Sequence, residues 1–91
     1  STSGTGDGII GPVMFNAGTI PLKATHDGSR NFAIEVFSAD GKDMDLVVNK
    51  IGEYQGSHAI RVQKNAIIGL SPGVHLVIVK ADGEWKVDIG D

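Results

Sequence analysis

Three histidines, His26, His58 and His75, and eleven carboxylates are the groups in this chain best suited to chemistry near neutral pH. Nucleophilic catalysis has little support. There is no cysteine and no Gly-x-Ser-x-Gly elbow, and Ser29, Ser38, Ser57 and Ser71 fall in or near turns, where serine has an ordinary structural use. A zinc or copper site would need the histidines to converge. No two are spaced i, i+4 on a helix, although His58 and His75 would be neighbours if their strands paired. Asp40, Asp43 and Asp45 are the candidate ligands for a hard cation such as calcium, because they supply three carboxylates close to one turn. Their spacing departs from the EF-hand loop: glycine directly follows the first aspartate, and no glutamate closes the twelfth position. The competing reading is that Asp40 shapes the turn while Asp43 and Asp45 face water. The remaining acids are scattered, and none forms an evident pair for glycoside hydrolysis.

Ligand binding by stacking would need exposed aromatic rings. Only Phe15, Phe32, Phe37, Tyr54 and Trp85 are available. The phenylalanines and Trp85 read as core. Tyr54 lies between Gly52 and Gly56 and has two open roles. It is either a ring whose hydroxyl bonds nearby backbone, as in a tyrosine corner, or a contact surface at a loop tip. Tyr54, Gln55 and His58 are therefore the candidate ligand-binding residues, for an unidentified protein or carbohydrate.

The elements that must carry these residues are strands. Nineteen Ile and Val stand against four Leu, and β-branched side chains suit a pleated surface. Thirteen glycines supply tight turns. Asp-Gly pairs at 27–28, 40–41 and 82–83 punctuate the chain and predict hairpins. Between the turns, strands are expected at 9–15, 20–25, 31–39, 42–50, 57–63, 74–80 and 84–89. Gly11 and Pro12 mark the first as an edge or bulged strand. Phe32, Ile34 and Val36 share one face, with Phe37 an apolar exception on the other. Met44, Leu46 and Val48 alternate with Asp43, Asp45 and Val47. Residues 74–80 are apolar on both faces, like a strand covered on both sides. Residues 66–70 could form a short strand or a helical turn. The firmest local expectation is a hairpin joining 74–80 to 84–89 through Asp82-Gly83, with Trp85 closing one end of the core.

This pattern predicts an all-β antiparallel sandwich of seven to eight strands, immunoglobulin-like or jelly-roll-like. Residues 1–8 read as a flexible linker by composition, and residues 9–91 as one domain. The chain has 91 residues, a net charge of −3 and a pI near 5.4. Its eight Lys and Arg are dispersed, which argues against nucleic acid or an anionic membrane as partner. No apolar run is long enough to span a bilayer, so membrane insertion is not expected. The composition implies no cofactor, and calcium is the one ion with candidate ligands. Oligomeric state is open.

Phe32-Ala-Ile-Glu-Val-Phe, Asp40-Gly41, Leu46-Val-Val-Asn49, Gly52-x-Tyr54-x-Gly56 and a closing Ala81-Asp82-Gly83-x-Trp85-x-Val87-x-Ile89 occupy about two-thirds of the chain. In these motifs it resembles small β-sandwich modules of bacterial secreted, lipoprotein or cell-surface proteins, which often end in an Asp-Gly-x-Trp strand. The resemblance implies a non-catalytic, extracytoplasmic binding or spacer module within a larger protein. Phage and virion surface modules are similar at this level, so a virion structural or decoration protein is one alternative. A small metal-binding protein is the other.

Overall fold

Phe32, Ile34 and Val36 are all fully buried, as two-residue spacing on one strand face requires. The computed structural model describes residues 1–90. They form eight strands and no helix: β1 (Thr2–Thr5), β2 (Gly8–Phe15), β3 (Gly18–His26), β4 (Asn31–Ser38), β5 (Met44–Ile51), β6 (Tyr54–Val62), β7 (Gly73–Lys80) and β8 (Glu84–Ile89). Two four-stranded sheets result, in the orders β1-β8-β3-β6 and β2-β7-β4-β5. Every strand pairing is antiparallel.

The pairing follows one rule. β1 pairs β8, β2 pairs β7, β3 pairs β6 and β4 pairs β5. The chain is thus a double ribbon whose tip is the β4–β5 hairpin, rolled into two layers. That is the jelly-roll form of the sandwich, and it excludes the immunoglobulin-like alternative. Leu22, Ala24, Ile60, Val62, Trp85 and Val87 from the first sheet meet Phe15, Phe32, Ile34, Val36, Val77 and Val79 from the second in one core. Truncating a core aromatic such as Phe32 to Ala costs about 3–5 kcal/mol in comparable cores.

The roll corrects several expectations. Only Asp40-Gly41 lies in a hairpin, between β4 and β5. Asp27-Gly28 joins β3 to β4, and Asp82-Gly83 joins β7 to β8. In each case the two strands belong to different sheets, so the expected hairpin of 74–80 with 84–89 does not form. An Asp-Gly step can reverse the chain within a layer or carry it across to the other. Which of these occurs depends on where β3 and β7 find partners.

The second correction concerns β5. A register shift lies between Ile34 and Glu35 of β4, where Leu46 and Val48 face successive β4 residues. Val47 is the extra residue of this bulge, and both Val47 and Val48 are buried. One inserted residue reverses side-chain parity. Met44 and Leu46, which alternate with Asp45 toward an expected core, consequently point outward and are exposed, while Asp45 is half-buried.

The third correction is at the start of the chain. Ser1–Gly8 does not act as a linker: Thr2–Thr5 pairs with Thr2↔Val87 through Thr5↔Glu84, and Gly8 begins β2. Its small residues serve packing, because a Cβ at Gly4 or Gly8 would stand 2.7 Å from Cζ2 of Trp85. Residues 66–70 form neither strand nor helical turn. They belong to the β6–β7 loop, anchored by buried Leu70 and its isolated bridge to Val62. The expectation for β2 stands, since it is an edge strand with a register shift between Ile10 and Val13.

Candidate functional site

Four crossings between the sheets gather at one end of the roll: 6–7, 27–30, 52–53 and 81–83. They are tied to one another by aspartates that follow or precede glycine. Asp7 Oδ1 accepts a hydrogen bond from the Ala81 amide at 3.0 Å. Asp27 Oδ1 accepts from the Glu84 amide at 2.7 Å. Asp82 Oδ2 accepts from the amides of Ser29 at 3.2 Å and Arg30 at 3.1 Å. The 27–30 and 81–83 crossings thus clasp each other reciprocally. They lie side by side because β3 pairs β8 and β4 pairs β7. Glycine is required here for close approach. A Cβ at Gly28 would collide with Asp82 Oδ1, and one at Gly83 would lie 2.6 Å from both Gly28 Cα and Asp27 Oδ1.

Buried His26 sits beneath the clasp. Its Nδ1 lies 2.8 Å from the Gly52 carbonyl and its Nε2 3.3 Å from Asp82 Oδ1. The ring stacks on Phe32 at 4.5 Å and 8°. Burial pushes the Asp82 carboxyl upward. The Arg30 and Ser29 amides, with the charge that His26 carries when protonated, outweigh this and leave its pKa below the ordinary 3.8. Trp85 completes the rim and donates from Nε1 to the Gly6 carbonyl at 2.7 Å. These contacts lock four crossings together. The two ring nitrogens of His26 face a backbone carbonyl and a carboxylate, so among the described residues this histidine contacts no side-chain hydroxyl as a triad would need.

Tyr54 and Gln55 lie beside this rim. Together with Thr25, Glu84, Trp85 and Lys86 they line a shallow, open depression. Tyr54 begins β6, and its half-buried ring tilts against Phe32 at 5.8 Å. Its hydroxyl passes close to Gly56, where a Cβ would stand 2.5 Å away. Gln55 points to the opposite face of the same strand. His58 is exposed farther along β6 and takes no part in the depression. Of the three candidate ligand-binding residues, Tyr54 and Gln55 therefore share one depression and His58 stands apart from it.

The aspartates at the candidate cation site lie at the other end of the molecule. Asp40 Oδ1 accepts from Ser38 Oγ at 2.7 Å and from the Lys42 amide at 3.0 Å. The Lys42 amide first, then Ser38, hold the Asp40 carboxyl below its ordinary pKa. Asp43 Oδ2 accepts from the Ser71 amide at 3.2 Å. Asp45 lies on β5 opposite Val36. Among the described residues no three His, Cys, Asp or Glu side chains form a group that could hold a metal ion. His58 and His75 stand on different sheets and do not pair. His75 is fully buried, stacked on Phe15 at 4.9 Å, with Nδ1 2.8 Å from the Gly73 carbonyl.

The outer faces of the two sheets differ in kind. On the β1-β8-β3-β6 sheet, Ser3, Lys86, Thr25 and Gln55 make one row across the strands, and Asp88, Lys23 and Ser57 make the next. On the β2-β7-β4-β5 sheet, Ile9, Ile78, Glu35 and Leu46 make one row, and Leu76, Phe37 and Met44 the next. Met14 and Val74 pair beyond them. Ile9 is 68% exposed, Met14 61%, Met44 51%, Leu46 47% and Val74 39%. Among the described residues these rows hold one charged side chain, Glu35, which pairs at 3.2 Å with Lys80 of the neighbouring strand.

This surface contains none of the candidate site residues. Two signals for it stood in the sequence: residues 74–80 are apolar on both faces, and Phe37 breaks the alternation of β4. Met44 and Leu46 carried no such signal, because the bulge that turns them outward is a tertiary feature. A second exposed apolar feature is the tip of the β6–β7 loop, where Ile67 is 100% and Ile68 91% exposed. No helix among the described residues is long and apolar enough to cross a membrane. No family model, curated protein or solved structure matches this chain.

Proposed function

We propose that this chain is a non-catalytic binding module of a larger extracytoplasmic protein, and that it works through the outer face of the β2-β7-β4-β5 sheet. The observation that carries this reading is the contrast between the two outer faces. A two-layer sandwich normally wets both. Here one is polar, while the other presents Ile9, Met14, Met44, Leu46 and Val74 to solvent. The largest contiguous apolar patch on a small protein is often its functional one. The extracytoplasmic and bacterial parts of the reading rest on the resemblance of the Asp-Gly-x-Trp strand and its companion motifs.

Site-specific photo-crosslinking in the cell that makes the protein tests the role of the face. A benzoylphenylalanine at Leu46 is expected to form protein crosslinks, and one at Lys86, on the polar sheet, is not. Equal yields at both positions, or none at Leu46, would overturn the reading.

A further inference from the structure

We infer that the partner of the apolar face is a second copy of this chain, packed sheet on sheet about a two-fold axis. This rests on the proposed role of that face. The first argument is charge. Two copies of net charge −3 repel at long range, and a charged surface between them would have to match each Lys or Arg to an acid in register. The polar sheet sets Lys86, Lys23, Asp88 and Arg61 on such a surface. On the apolar face Glu35 and Lys80 already neutralise each other at 3.2 Å, so two identical faces can approach without repulsion.

The second argument is shape. The face is an open sheet of four strands, with side chains in rows across it. Twisted sheets pack on one another with strands within about 30° and layers about 10 Å apart. A two-fold axis lying in the plane of the interface would lay the Ile9-Ile78-Leu46 and Leu76-Phe37-Met44 rows of one copy across those of the other.

The third argument is area. The exposed parts of Ile9, Met14, Met44, Leu46 and Val74, with the half-buried Phe37, Leu76 and Ile78, offer on the order of 600 Å² per copy. The pair would bury on the order of 1,200 Å², at the lower bound for specific interfaces. That predicts a reversible dimer rather than an obligate one.

Edge-to-edge pairing is less suitable for β2. Gly11 and Pro12 stand at its register shift, and proline with a bulge blunts an edge.

Sedimentation velocity across ~1 to ~500 µM protein tests the inference. The wild type is expected to pass reversibly from monomer to dimer within that range. The double variant Met14→Glu, Leu46→Glu is expected to weaken association at least tenfold. Lys86→Glu, on the polar sheet, is expected to leave the midpoint unchanged. Both substituted apolar residues are largely exposed, and a far-ultraviolet spectrum matching wild type confirms that the double variant folds. Should it not fold, Leu46→Glu alone is measured. A wild type that stays monomeric throughout, forms a trimer, or dimerises equally well as the face variants overturns the inference. A monomer that still crosslinks from Leu46 to a different chain refutes the dimer but leaves the binding-module reading intact. A monomer without crosslinks refutes both.

Discussion

Asp82 does more than shape a turn: its carboxylate receives the Ser29 and Arg30 amides and faces His26. Its folded-state pKa lies below the ordinary 3.8. A depressed carboxyl contributes stability that is complete above the unfolded value and lost as pH falls through the folded one. Wild-type protein is therefore expected to lose melting temperature as pH drops below about 4, and Asp82→Asn to start lower at neutral pH and fall less between about pH 5 and 2. Differential scanning calorimetry over that range checks both halves. Gly28 tests the clasp from its other side. Gly28→Ala places a methyl group against Asp82 and His26 and is expected to cost about 1–3 kcal/mol by urea unfolding. The same substitution at Gly41, where nothing lies within 4 Å of the added carbon but φ is +79°, is expected to cost about 1 kcal/mol through backbone strain alone.

At the scale of elements, β1 decides whether the first residues belong to the fold. Thr2–Thr5 covers the outer edge of β8, and Gly4 lets the strand lie against the Trp85 ring. Removing residues 1–5 is expected to lower the melting temperature by about 5 °C or more and to shift Trp85 fluorescence toward the solvent-exposed range. An unchanged melting curve would return this segment to the status of linker. The strand is hard to recognise from composition because Thr, Ser and Gly carry little apolar periodicity. What holds it is backbone pairing to β8 and a single large ring beneath it. β5 shows the opposite case, in which alternation is plain but misleading. The bulge at Val47 makes Met44 and Leu46 surface residues and places two adjacent valines in the core.

For the whole molecule, the roll sets both shape and folding speed. The two layers form a body of 38 × 23 × 20 Å, closed by a pairing between its first and last strands. Closing so long a chain segment before gaining its contacts is slow, and sandwiches of this kind fold in milliseconds to seconds. Stopped-flow refolding followed through Trp85, the only tryptophan, is expected to fall in that range. A microsecond phase carrying the full amplitude would contradict the non-local topology. The unequal outer faces add a second whole-molecule property: the body is polar on one broad side and apolar on the other.

β-branched residues alternating between glycine turns determined that this chain is a sandwich of antiparallel strands, because that pattern buries one face of a pleated strand and wets the other. It also determined most strand positions, the inward set of Phe32, Ile34 and Val36, and the packing role of Trp85. Tertiary structure alone decided which strands pair. An Asp-Gly step is equally good at reversing a strand and at crossing to the other layer, so local sequence could not separate a hairpin at 82–83 from a crossing. It also decided parity in β5 and therefore which apolar residues remain outside. The apolar face is a sum over four strands distant in sequence, held in register by backbone hydrogen bonds that any residue except proline can make.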